Sequence, residues 1–116
     1  MVLLLRNPIY TQLIVINMRK ITQEAIRALL DKRKFKKGNT QVKAYDAFGH
    51  KNAYLFLHGN IIARYNSNDD LIITAAGWKT NTTKERLNGL PNVHIQQKNF
   101  EWFLNGELWD GKPVKI

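Results

Sequence analysis

One stretch of the sequence decides the fold: GWKTNTTKERLNGLP, residues 77–91. Within it, Thr82 and Glu85 have the spacing of a capping box, in which each side chain hydrogen-bonds the backbone N–H of the other residue. The stretch therefore predicts an α-helix from Thr82 to about Leu90, with Thr82 as its cap and Glu85 closing the box.

The end of this helix is also marked in the sequence. Leu87 and Leu90 are three residues apart, so both fall on one face of the helix. Asn88-Gly89 supplies residues that tolerate the left-handed conformation common at helix ends, and Pro91 cannot continue a helix. The segment therefore predicts a short helix with a definite stop.

The residues on either side of this helix indicate one further helix and seven strands. Apolar residues recur at helical spacing over residues 21–33, and Gly38-Asn39 ends that segment. Runs separated by turn residues predict strands over residues 41–45, 53–57, 61–65, 71–76, 93–97, 100–104 and 107–109. Tight turns, of which Asn105-Gly106 is the strongest hairpin signal, favour antiparallel pairing. The predicted fold class is α+β: a single domain over residues 18–116, with two helices packed on an antiparallel sheet built from two β-meanders.

The first 17 residues, MVLLLRNPIYTQLIVIN, stand apart from this pattern. Their apolar runs are far shorter than the roughly 20 residues needed to span a bilayer. They also lack the charged start and small-residue cleavage site of a signal peptide. Met18 begins MRKITQEAIRALL, which has the form of a conventional protein start. We interpret residues 1–17 as an N-terminal extension, produced by an early start codon or forming an added strand.

The charge of the chain is concentrated near its beginning. The 116 residues include 18 Lys and Arg against nine Asp and Glu, a net charge of +9. Residues 1–43 carry +8 of this and residues 44–116 carry +1. A cationic segment of this kind can meet nucleic acid, anionic lipid or an acidic protein surface. The chain has no cysteine, which excludes disulfides, thiolate metal sites and cysteine nucleophiles.

The densest part of this charge is KRKFKK, residues 32–37, with five cations around one aromatic residue. It is either a solvated helix end that complements the helix dipole or a patch that contacts phosphates. Both interpretations stay open. The cations predicted to contact nucleic acid are Arg27, Lys32, Arg33, Lys34, Lys36, Lys37, Lys79 and Lys84.

Residues 78–84 suggest a second recognition feature, with hydroxyls, an amide and two lysines at a helix start. Free N–H groups at such a start can bind anions. The simpler interpretation is plain capping by Thr82, with Trp78 in the core.

Aromatic residues recur on two predicted strands. Tyr54 and Phe56 share a strand face opposite Leu55, and Phe100 and Trp102 share another. A sheet with exposed aromatics stacks RNA bases in the RRM fold, but the RNP1 pattern of that fold is absent from this sequence. Strands that are apolar on both faces are usually sandwiched, so we interpret these aromatics as core.

Signals for catalysis or metal binding are missing from the sequence. His50, His58 and His94 have neither metal-ligand spacing nor acidic neighbours at that spacing. Asp69-Asp70 lies in a turn cluster, where Asp is common. The glycines form no nucleotide-binding or nucleophile-elbow motif. We therefore predict a protein that is not an enzyme and has no cofactor and no metal site.

Three segments together resemble a family of short proteins encoded by tailed bacteriophages. They are LHGNIIA at residues 57–63, GWKTNTTKERLNGL at residues 77–90, and WFLNGELWDG at residues 102–111. The resemblance implies a phage or prophage origin and expression in the bacterial cytoplasm. It implies no catalytic or binding residues.

These observations predict a small, basic, non-enzymatic phage accessory protein in the host cytoplasm. It would bind an anionic partner, DNA or RNA above all, through a basic N-terminal helix end, and would not bind a membrane. The alternative is a protein-interaction module whose partner is a host or phage protein, such as an inhibitor of a host enzyme or a minor virion component. A hydrolase with a dispersed active site stays open as a third class.

Overall fold

The computed structural model describes residues 19–116, so the predicted N-terminal extension lies outside the described residues. The described part contains two helices, α1 at Lys20–Leu30 and α2 at Asn81–Leu87. The strands of the same part are β1 Phe35–Lys37, β2 Thr40–Ala47, β3 His50–Leu57, β4 Asn60–Tyr65, β5 Leu71–Ile73, β6 Ile95–Lys98, β7 Glu101–Leu104, β8 Glu107–Leu108 and β9 Val114–Lys115.

The strands form two antiparallel sheets rather than the single predicted one. The main sheet has the order β1-β2-β3-β4-β5-β9, and the small sheet has the order β6-β7-β8. Each of the seven predicted strands has a counterpart, whereas β1 and β9 were missed. The α+β class is confirmed.

One face of the main sheet, here called the inner face, carries the core. Strand pairing aligns Val42, Leu55, Ala63 and Ile73 across four neighbouring strands, and all four are almost fully buried. Helix α1 packs on this face through its apolar stripe, whose buried members include Ala25, Ile26, Ala28 and Leu29. Residues two apart on a strand share a face, so this alignment sends the residues between them to the other side.

A buried hydrogen-bond network joins both helices to the inner face. The Arg86 side chain, from α2, is only 1% exposed. Its guanidinium donates to Thr40 Oγ1 on β2 at 3.1 Å, to Thr22 Oγ1 on α1 at 3.0 Å, and to the Glu85 carboxylate. The Thr22 hydroxyl donates to the same carboxylate at 2.6 Å. The network satisfies a buried charge with partners from three elements, which is the condition for burying it at an acceptable cost.

The predicted cap of α2 is wrong by two residues. The N-cap is Thr80, whose Oγ1 accepts a hydrogen bond from the Thr83 backbone N–H at 3.2 Å. Thr82 lies inside the helix, and Glu85 turns to Thr22 and Arg86 instead of closing a box. A buried arginine competes for the carboxylate more strongly than one backbone N–H does, because its charge has no water to solvate it.

The predicted left-handed stop of α2 is also wrong. Asn88 is right-handed with φ −66°, and Gly89 is not among the residues with positive φ. Gly89 is required by space instead: a Cβ there would lie 2.7 Å from Thr22 Cγ2 and 3.1 Å from Ile26 Cγ1. Glycine at this position therefore lets α2 end directly against α1.

Helix α1 ends earlier than predicted, at Leu30 instead of Arg33. Lys32 adopts the left-handed conformation with φ 52°, which turns the chain out of the helix. The next residues, Phe35–Lys37, then form the first strand of the main sheet. The basic cluster is therefore a turn and an edge strand, not a helix end.

The small sheet closes the core at the end near α2. Trp102 and Trp109 are buried, with ring centroids 6.2 Å apart, and Leu87 and Leu90 are buried with them. Asn105-Gly106 forms the predicted tight turn, with positive φ at both residues.

Candidate functional site

The face of the main sheet opposite the core, here called the outer face, is not covered by either helix. Strand pairing places two rows of residues on it, none of which is buried. The first row is Lys36, Gln41, Phe56 and Ile61, and the second is Lys43, Tyr54, Arg64, Ile72 and Lys115. The interpretation of Tyr54 and Phe56 as sandwiched core is therefore wrong, because the inner face alone holds the core.

Ion pairs occupy the first two of the five cations in the basic cluster. Lys32 Nζ lies 2.8 Å from Asp69 Oδ1 and 4.8 Å from the centre of the Tyr65 ring, and its side chain is only 14% exposed. Arg33 Nε lies 3.3 Å from Asp31 Oδ2. Lys32 is therefore poorly placed for an outside partner, whereas Arg33 forms a surface pair and stays half exposed.

Strand β1 divides the remaining lysines between the two faces of the sheet. Lys37 faces inwards and lies 3.5 Å from Glu24 Oε1 on α1. Lys36 faces outwards, beside Gln41. Among residues 19–116, neither Lys34 nor Lys36 has an ion-pair partner. Two members of the predicted cluster are therefore available for binding.

These two lysines line a groove of about 600 Å³ at the edge of the main sheet. Strand β1 pairs only with residues 40–42 of β2, so residues 43–47 have β3 on one side and no described strand on the other. The groove follows this open edge. The residues that line it include no carboxylate: Lys34, Phe35, Lys36, Gln41, Val42, Lys43, Ala44 and Tyr45.

Sequence reasoning missed Lys43, Tyr45 and Arg64 as members of this surface. Lys43 Nζ lies over the Phe56 ring, 4.9 Å from its centre, and has no carboxylate partner among the described residues. The alternation of polar and apolar residues in β2 signals an outward Lys43 and Tyr45. It does not reveal which residue of a neighbouring strand lies beside them, since register depends on turns elsewhere in the chain.

The other predicted contacts lie away from the groove. Arg27 is exposed on α1, and Lys84 lies on α2 and donates to Gln97 Oε1 at 3.2 Å. Lys79 follows β5, which is four strands from β1, or roughly 19 Å at the usual strand spacing. The structure therefore does not unite the eight predicted cations in one site.

A second cavity, of about 530 Å³, lies near the start of α2. Trp78 forms part of its wall and is 62% exposed, so its predicted place in the core is wrong. The other lining residues combine apolar groups with hydroxyls and amides: Leu57, His58, Asn60, Ile62, Ala75, Ala76, Thr80, Thr82 and Thr83.

The sequence comparison gives a family for the chain. Residues 18–115 match the family described as Kyanoviridae Gp96 protein, a family from tailed phages. The chain belongs to this family. The predicted resemblance to tailed-phage proteins is thereby confirmed. No curated protein and no solved structure matches the chain.

The three segments that carry the resemblance have distinct places in this phage protein. LHGN forms the turn between β3 and β4, residues 77–90 contain α2 with its cap, and residues 102–111 contain the β7–β8 hairpin. Only the first two reach the cavity beside Trp78, and none reaches the groove.

The three histidines of this phage protein, His50, His58 and His94, are all exposed. Within residues 19–116, no three His, Asp or Glu side chains lie close enough to hold a metal ion. None of the helices in that part combines the length and the apolar character that a membrane span requires.

Proposed function

We propose that this phage protein is a non-enzymatic accessory protein of the host cytoplasm that binds nucleic acid at the groove beside β2. The observation that carries the proposal is the placement of Lys34, Lys36 and Lys43 around one groove that has no carboxylate in its lining. Lysines without carboxylate partners attract phosphates through a long-range electrostatic field that does not depend on base sequence.

The pairing of the other cations supports this proposal. Lys32, Arg33 and Lys37 neutralise Asp69, Asp31 and Glu24, so the fold uses them. The groove lysines neutralise no described carboxylate, and they no longer complement a helix end, because β1 replaces that end. Neither ion pairing nor helix-dipole complementation therefore accounts for the positive charge at this edge.

The test is the salt dependence of binding. The variant K34Q/K36Q/K43Q removes three candidate phosphate contacts, so the slope of log affinity against log salt concentration on duplex DNA should flatten by up to about 3 units. Affinity should fall by a similar factor on every sequence, because phosphate contacts do not read bases. The free energy of unfolding should change by less than about 0.5 kcal/mol per site, since these are surface positions. Fluorescence titration at several salt concentrations measures the slope.

The matched control is K51Q/K98Q/K112Q, which also removes three positive charges, but at positions outside the groove. It should keep nearly the parent slope. If both variants lose slope equally, the effect comes from net charge alone and the groove is not the site. If the parent binds neither DNA nor RNA at low salt, the proposal is wrong.

The protein-interaction alternative rests on the second cavity. Trp78 is exposed beside a partly apolar cavity, and tryptophan is among the residues that most often dominate protein interfaces. Here the partner would be a host enzyme or a phage structural protein. The variant W78A should then abolish binding of that partner and leave nucleic-acid affinity unchanged. If the groove is the functional surface, K34Q/K36Q/K43Q should weaken nucleic-acid binding and leave binding of a protein partner at Trp78 unchanged.

A further inference from the structure

The outer face offers aromatic rings as well as charge, and the rings decide which form of nucleic acid fits it. Tyr45 is 54% exposed, and its ring packs against the Tyr54 ring in an edge-to-face arrangement with a centroid distance of 5.8 Å and an angle of 64°. Both residues lie on the outer face, on neighbouring strands. Tyr54 thus supports the Tyr45 ring, and about half of the Tyr45 surface stays open to solvent.

We propose that this surface binds single-stranded nucleic acid, with Tyr45 stacking on a base while the groove lysines hold the adjacent phosphates. This inference rests on the proposed function and specifies its partner. Tyr45 and three lysines line the same groove, so one ligand can meet both. The groove is open to solvent, and its volume of about 600 Å³ leaves room for one nucleotide of a longer strand.

Cations and rings alternate across the outer face. Strand pairing places Tyr54 between Lys43 on β2 and Arg64 on β4. Arg64 is exposed and has no ion-pair partner in the described part of the chain. Phe56 is covered by the Lys43 ammonium, so it positions that lysine and leaves base stacking to Tyr45. Single-strand sites combine these two components, a cationic path for the backbone and aromatic rings for the bases.

Duplex DNA can contact the lysines of this surface but not its aromatic ring. Its phosphates can meet the lysines, but its bases are paired and stacked on one another, so their faces cannot reach a ring on a sheet. A single strand can turn a base outwards and use both components. The surface should therefore bind a single strand more tightly than a duplex of the same length and charge per strand.

The experiment compares three probes of one mixed sequence: single-stranded DNA, single-stranded RNA and duplex DNA. The parent should bind both single strands more tightly than the duplex, and the ratio of the two single strands shows whether the sugar matters. Y45A should weaken single-strand binding by about 5- to 150-fold, the range for one lost stacking contact. It should leave duplex affinity and the salt slope unchanged, because the lost contact carries no charge.

Two variants keep this test interpretable. Y45F keeps the ring and should bind single strands nearly as the parent does. F100A removes an almost fully exposed aromatic residue away from the groove, at the turn before β7, and should have no effect. Thermal unfolding of each variant checks that the fold is intact.

The possible failures are distinct. If single strands and duplex bind equally and Y45A changes nothing, while K34Q/K36Q/K43Q flattens the salt slope, the stacking inference is wrong and the proposed function stands. If a polyglutamate peptide binds as tightly as single strands, the surface is a general polyanion site and the stacking inference is again wrong. If no nucleic-acid probe binds, the proposed function fails with it.

Discussion

The two faces of the main sheet are built from the same strands, but one is packed as core and the other is open to solvent. On the inner face, Val42, Leu55 and Ala63 are aligned and fully packed under the helices. At the adjacent position of each strand, Lys43, Tyr54 and Arg64 are aligned on the outer face, and none is buried. The comparison teaches that one face holds the fold together and the other is free to carry binding residues, since changing them removes little buried surface.

The strongest test of this difference replaces one arginine on each side. R86M removes the buried guanidinium and leaves Glu85, Thr22 and Thr40 without their shared partner. It should lower the free energy of unfolding by about 3 kcal/mol, the lower end of the range for breaking a buried pair, because Glu85 keeps partial access to water. R64M on the outer face should cost less than about 0.5 kcal/mol. Urea denaturation measures both, and equal losses would remove the distinction between the faces.

The contact between the two helices over the inner face gives an intermediate effect. G89A places a methyl group 2.7 Å from Thr22 Cγ2, and Thr22 is held in place by Arg86 and Glu85. The overpacked contact should cost about 1–3 kcal/mol. T22S removes the obstructing methyl and keeps the hydroxyl, so T22S/G89A should recover much of that loss relative to T22S alone. A loss that T22S does not relieve would show that the strain lies elsewhere, and a double-mutant cycle on denaturation midpoints decides.

The smallest effect should come from the cap of α2, at the border of the packed region. T80A removes the hydroxyl that accepts from the Thr83 N–H and should cost about 0.5–2 kcal/mol. T82A removes a hydroxyl from inside the first turn and should cost less, because that residue caps nothing. Denaturation of both variants side by side checks the order. A larger loss of stability for T82A would support Thr82 as the cap, as the sequence predicted.

Local patterns predicted the elements of this fold better than their arrangement. Alternation and turn residues located β2 to β8. The α2 cap was misplaced because Glu85 is taken by Thr22, 63 residues away in sequence, a contact that no local pattern records. Strand β1 was missed because FKK has the composition of a helix end, although lysines are also common on edge strands.

The candidate site was predictable in its charge but not in its geometry. The basic cluster was visible, yet only Lys34 and Lys36 of its five cations stay unpaired in the described part of the chain. The pairing of β1 with β2 places Lys43 in the same groove as these two lysines. The aromatic face was assigned to the core, because alternation shows that a strand has two faces without showing which one is covered.

The open edge along residues 43–47 of β2 has a consequence for how the protein behaves at high concentration. A strand without a neighbour is where copies of a chain join edge to edge into larger sheets and aggregate. Here the opening begins at Lys43 and is flanked by Lys34 and Lys36, so an approaching copy meets like charges. The same three lysines therefore oppose self-association, and concentrated salt or neutral substitutions at these positions weaken that protection.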